Sequence, residues 1–162
     1  MMKKVIATIS TLLVCVTMLT GCGDPVGDDI VNYVNNQIKP LVALQSKVAT
    51  EFTTVSEDKD ATSETISAKL KDVIIPASDE LIAKAKSIVP ETEEVRKVHS
   101  IYTELVTQQR EGLDLFLQAF QKNDEALIKN ADEKMAQVEK LSNEYSAAVE
   151  ALKKEHDIVN AK

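Results

Sequence analysis

The stretch Glu93-Glu94-Val95-Arg96-Lys97-Val98-His99-Ser100-Ile101-Tyr102-Thr103-Glu104-Leu105, continuing to Phe120, decides the fold. Val95, Val98, Tyr102, Leu105, Leu113, Phe116, Leu117 and Phe120 fall on one face of an α-helix, and nothing here alternates as a half-buried strand does. Pro90, followed by Glu91, Glu93 and Glu94, marks the helix start, because proline is tolerated at a first helical position and acids favour the positive end of the dipole. Gln121-Lys122-Asn123-Asp124 breaks the pattern, with Asn123 or Asp124 as the cap of the next helix. That helix carries the period on through Leu127, Ala131, Met135, Val138, Leu141, Tyr145, Ala148, Leu152 and His156.

Working back towards the N-terminus, the same period organises two earlier segments. The first has Ile30, Val34, Ile38, Leu41, Leu44, Val48, Phe52 and Val55, and Asp28 or Asp29 suits its first turn. Ser56-Glu57-Asp58-Lys59-Asp60 is a polar turn. The second opens near Thr62 or Ser63 and has Ile66, Leu70, Val73, Ala77, Leu81, Ala85 and Ile88. Four helices joined by short links predict an all-α, up-down-up-down four-helix bundle, with a bare antiparallel coiled-coil hairpin as the runner-up. Glu125–Lys129 and Glu150–Lys154 are spaced for i,i+4 ion pairs on the outer faces.

The extreme N-terminus sets the compartment. Lys3 and Lys4 precede an apolar run, Val5 to Met18, that is too short to span a bilayer, and Leu19-Thr20-Gly21-Cys22 follows it. This stretch resembles the precursors of bacterial lipoproteins, in which Leu, a small or hydroxylated residue, Gly or Ala, and Cys mark the processing site. The resemblance implies cleavage after Gly21, a diacylglycerol on the Cys22 thiol, and N-acylation of the new Cys22 amino group as a further option. It divides the chain into a signal peptide (1–21), a short leader (22–27) and a helical domain (28–162). An ordinary cleaved signal peptide or an uncleaved membrane helix is the alternative reading. Two acyl chains would hold the protein at a membrane where one is marginal, since each buried CH₂ contributes about 0.8 kcal/mol.

Composition narrows the function. Cys15 lies in the discarded segment and Cys22 is consumed by lipid, so the mature body has no thiol for disulfides, thiolate metal sites or nucleophilic catalysis. The chain has 19 basic and 26 acidic residues, and losing Lys3 and Lys4 leaves 17 against 26, a net charge of −9. Such a body is repelled by anionic lipid and by nucleic acid, so the anchor and not the fold supplies the attraction to the membrane. About 140 mature residues suit one domain.

The search for chemistry is largely negative. His99 and His156 have no Glu three residues before them, as a di-iron bundle site requires. Glu57, Asp58 and Asp60 lack the register of an EF-hand loop. No nucleophile elbow or phosphate loop is present. The expectation is therefore no enzyme, no metal and no cofactor beyond the covalent lipid. Tyr33, Tyr102 and Tyr145 are read as core or boundary residues, and both histidines as boundary residues.

Pro40 and Pro76 each lie inside a continuous apolar pattern, 18 residues either side of Asp58. Each removes a backbone donor and is expected to bend or break its helix, at one level of the first hairpin. A matched curve is the structural reading. The functional one is a widened layer for a small molecule or ion, built from the freed carbonyls of Asn36 and Asp72 with the hydroxyls of Tyr102 and Tyr145. The first expectation for function is different: an extracytoplasmic, membrane-anchored interaction or scaffold module. It would meet an envelope protein through the end away from the lipid, around Glu57, Asp58, Asp60, Asp124 and Glu125. The layer at the prolines is the alternative.

Overall fold

The computed structural model describes residues 19–20 and 24–160. A two-residue strand β1 (Leu19–Thr20) is followed by α1 (residues 25–57), α2 (residues 63–86), α3 (Glu93–Lys122), α4 (Glu125–Glu155) and a second short strand β2 (Val159–Asn160). β1 and β2 pair antiparallel, with Leu19 opposite Asn160 and Thr20 opposite Val159. Apart from that ladder, the described residues form helix and turn.

Helix α1 begins earlier than the apolar stripe indicates. Asp24 is its N-cap, accepting from the amides of Val26 at 3.0 Å and Gly27 at 2.9 Å, with Pro25 at the first helical position. Pro25 to Gly27 are therefore helix, where the sequence reading had them in a leader. Thr62 caps α2 by accepting from the Thr65 amide, and of the two candidates Asn123 and Asp124 it is Asp124 that caps α4. Asn123 instead ends α3 in the left-handed region at φ 50°, and the Asp124 amide reaches back to the Ala119 carbonyl at 3.0 Å. Asp157, at φ 52°, ends α4 the same way.

Pro90 does not start α3. It lies in the 87–92 link, which Arg96 fastens through the Pro90 and Glu91 carbonyls. The helix begins at Glu93 because Thr92 has a partner across the fold: its amide and its hydroxyl both donate to the buried Asp29 carboxylate of α1, each at 2.7 Å. A carboxylate from a different helix thus meets the N-terminus of α3. No spacing rule within α3 could have located it.

The two interior prolines are carried without a break. Tyr33–Ile38 and Leu70–Ile74 are π-helical, and each ends shortly before its proline. The Lys39 amide bonds to the Val34 carbonyl and the Ile75 amide to the Leu70 carbonyl, both five residues back. In an ordinary helix the proline ring would meet the carbonyl four residues before it; one wider turn relieves that clash and keeps the helix continuous.

All four helices contribute to a single core. α3 and α4 pack along their lengths, α1 and α2 pack on each other and on α3, and α1 meets α4 through residues 25–32. Gly112 lets α3 and α4 approach closely, since a Cβ there would lie 2.5 Å from Met135 Cε. Phe52 of α1 and Phe116 of α3 pack with ring centroids 5.3 Å apart. Each such fully buried side chain contributes roughly 1.5–3 kcal/mol. The outer ion pairs differ from the expected ones: Lys129 joins Glu133, and Glu150 joins Lys153.

Candidate functional site

Gly21 and Cys22, the expected cleavage and lipidation residues, lie outside the described residues. Asp24, two residues further on, is firmly held. Besides capping α1, its carboxylate lies 3.0 Å from His156 Nδ1 at the end of α4. The Gly27 amide first, and His156 with it, holds the Asp24 carboxyl below its ordinary value. With Asp29 joined to Thr92, the start of α1, the 87–92 link and the end of α4 are fastened into one end of the molecule.

The candidate contact residues gather at the other end of α1. Ser63 Oγ donates to Asn123 Oδ1 at 3.2 Å, which brings the turn after α1 beside the turn after α3. Glu57, Asp58, Asp60 and Glu125 are exposed and Asp124 is half-buried. Asp58 and Asp124 each have one carboxylate oxygen engaged by backbone amides, Asp60 N for the first and Ala126 N for the second. Beside them lies a groove of about 530 Å³ between α2 and the end of α3, lined by Glu64, Ser67, Lys71, Asp72, Phe120 and Gln121.

The four residues expected to share a ligand layer separate into two pairs. Asn36 is exposed and bonds to Asn32 one turn back, and Asp72 is exposed at the edge of the distal groove. Tyr102 and Tyr145 are buried and in ring contact, with centroids 5.3 Å apart. Tyr145 belongs to a hydrogen-bond line across the helices that also takes in Tyr33 and His99, while Tyr102 stacks against that line and donates its hydroxyl to Gln45 Oε1.

The Ala85 carbonyl of α2 can only accept, so His99 Nε2, 3.1 Å away, carries the proton and Nδ1 is an acceptor. The Tyr33 hydroxyl then donates to Nδ1 at 3.2 Å, and the Tyr145 hydroxyl bonds to Tyr33. One group from each helix takes part. Burial pushes the Tyr33 and Tyr102 phenols well above their ordinary value and that of Tyr145 up to about 12; burial likewise lowers His99, so the ring resists protonation. His99 is therefore a core residue, although sequence placed it at the boundary.

Sequence reasoning missed a second polar set. Gln45, Ser78 and Gln109 are buried, and Gln45 Nε2, Ser78 Oγ and both amide atoms of Gln109 have no hydrogen-bond partner. The signal was present in the spacing. Val98, Tyr102, Leu105, Gln109, Gly112, Phe116 and Ala119 form an unbroken alternation of fours and threes, so Gln109 occupies a core position that a list of apolar residues skips. Gln45 does the same between Leu41 and Val48, where the apolar stripe takes the neighbour Leu44 instead.

Among the described residues no group of three or more His, Cys, Asp or Glu is placed to hold a metal ion, and no helix is long and apolar enough to cross a membrane. What the geometry defines is an all-helical body fastened tightly at the end where its N-terminal segment enters. The chain belongs to the EMYY-motif containing lipoprotein family, whose model matches residues 2–161. Membership makes it a lipoprotein, associated with a membrane through a lipid anchor. Comparison with curated proteins and with solved structures finds no match.

Proposed function

We propose that this protein is a non-enzymatic, lipid-tethered helical module that works by contact with another protein of the cell envelope, outside the cytoplasm. In this reading the signal peptide is removed after Gly21 and Cys22 carries the diacylglycerol. The helices form an up-down-up-down bundle whose first two members bend at Pro40 and Pro76. Tether and contact surface occupy opposite ends. The observation that carries the reading is the Ser63–Asn123 bond: it joins the two turns remote from Asp24, so that Glu57, Asp58, Asp60, Asp124 and Glu125 share one acidic end face.

An acidic face suits a partner with a basic face, and such complementarity raises the association rate and its salt dependence. The adjoining groove offers room for a partner side chain against Phe120. A photocrosslinking residue at position 58 or 124 in cells should give specific adducts; at 94 or 155, near the tethered end, it should not. Adducts confined to 94 and 155 would reverse the geometry. Separately, Cys22→Ala should abolish incorporation of labelled acyl lipid, and labelled lipid persisting on that variant would refute the assigned anchor.

A further inference from the structure

Of the buried polar atoms without a partner, those of Gln45, Ser78 and Gln109 come from three different helices and lie near one level. Asp79, next to Ser78, is paired with Arg110, next to Gln109, with Arg110 Nε 2.7 Å from the carboxylate. Asp29–Thr92, Phe52–Phe116 and Tyr33–His99 give α1 and α3 an offset of 63 to 66 residues, which sets Gln45 level with the helical turn that carries Gln109. On α4, the Tyr102–Tyr145 and Gly112–Met135 contacts bracket Val138 opposite the same level. Three helices therefore bring a polar side chain to one layer, and the fourth closes it with an apolar wall. Ser78 and Gln109 are fully buried and Gln45 is 3% exposed. Leaving such a group unpaired costs about 1–3 kcal/mol.

We propose that this layer is an internal binding site for a small uncharged guest that both donates and accepts hydrogen bonds. Gln45 and Gln109 offer amide donors, Gln109 Oε1 an acceptor and Ser78 a hydroxyl that serves either way. Tyr102 occupies the other face of Gln45, its hydroxyl donating to Oε1 at 3.4 Å, so Gln45 Nε2 is left for the guest. The guest is neutral because the unpaired atoms of the layer carry no charge, and the guanidinium of Arg110, next to Gln109 in sequence, is already bridged to Asp79 and Asp114. A few water molecules are the minimal occupant, since a buried water takes two to four hydrogen bonds and the layer holds four unpaired polar atoms. A compact amide is the same chemistry in one larger molecule. The π-turns end close by, with Ile74 four residues before Ser78, and the wider helical register there offers a place for the core to open to a guest.

The test uses the full mature protein in detergent micelles, observed by NMR. Long-lived water cross-peaks to the side-chain amides of Gln45 and Gln109 are expected, and Gln109→Leu should abolish those at Gln45. Ser78→Ala, a smaller change in a buried helix position, should weaken them while the backbone spectrum stays that of the folded protein. Acetamide is the probe for the larger guest: saturation transfer that Gln109→Leu abolishes, together with loss of the water peaks, assigns the layer to an amide-sized molecule, and water peaks that persist under acetamide assign it to water. Direct cross-peaks between the Gln45 and Gln109 amides, with no water contact at either, would show a dry layer and overturn the proposal.

Discussion

Two neighbouring levels of the core treat polar side chains in opposite ways. Around Tyr33, His99, Tyr102 and Tyr145 each polar group has a partner, and the line from Tyr145 through Tyr33 and His99 to the Ala85 carbonyl ties the four helices together. Two helical turns further along, at Gln45, Ser78 and Gln109, four polar atoms have none within the chain. Beyond them, at Phe52 and Phe116, the core is apolar again. A satisfied network rigidifies and specifies a packing, whereas an unsatisfied one costs stability unless something else completes it. The first level is a structural clamp; the second is where the four helices give up stability, and it is there that the proposed guest would act.

The largest effect should come from the apolar level. Phe116→Asp, or Leu105→Asp a few turns away, puts an unpaired charge into the packed seam and should cost several kcal/mol. Loss of most helical signal by circular dichroism at 25 °C is the expected outcome. A variant that stayed fully helical would mean that the core is loose enough to hydrate a charge, and the contrast between levels would lose its basis.

Next is the clamp. Tyr33→Phe removes the hydroxyl that donates to His99 Nδ1 and accepts from Tyr145, leaving two buried groups short of a partner at about 1–3 kcal/mol. Urea melts should show a lower midpoint at unchanged slope.

The clamp also carries a pH signature. Burial lowers His99 below its ordinary 6.5, so the unfolded state takes up a proton first. The stability it contributes is complete above pH 6.5 and is lost as pH falls from there through the lowered folded-state value. Asp24, also lowered but from 3.8, acts in a separate window further down. Thermal melts in steps between pH 7.5 and 4.5 should fall for the wild type, and the slope near pH 6 should flatten in His99→Gln.

How far the sequence revealed these levels depended on what each residue had to do. Apolar periodicity located four helices, and the polar breaks located their turns, because burial of one face is a local and repeated signal. The caps were legible to within one residue, Thr62 or Ser63 and Asn123 or Asp124, and the structure selects Thr62 and Asp124. The start of α3 was not: Thr92 is held by Asp29, 63 residues away, and no neighbouring residue announces it. Pro40 and Pro76 were legible as disturbances, yet that a π-turn would absorb each of them depends on packing around the helix. Proline points to the backbone carbonyls of Asn36 and Asp72; their side chains face solvent, and the polar layer lies between two and three turns from Asn36, at Gln45. Gln45 and Gln109 sit at core positions of perfectly regular repeats, where an apolar stripe counts a polar residue as a gap.

The smallest effect is the most discriminating. Gln109→Leu replaces an amide with no protein partner by an apolar side chain of similar volume, at a fully buried position. The change removes both orphaned atoms of Gln109 and releases whatever guest they bind, while Gln45 keeps the Tyr102 hydroxyl on its other face. Replacing a polar pairing by apolar packing of the same shape is close to neutral, so the stability at pH 7 should move by less than about 1 kcal/mol in either direction. Gln109→Ala is the control, because a cavity there should cost about 2–4 kcal/mol whatever the polarity of the site. If Leu costs as much as Ala, the Gln109 amide is bonded as tightly as the tyrosine line, and the two levels are alike after all. If Leu is neutral while Ala is costly, the amide is dispensable for folding and the layer is free to serve a guest.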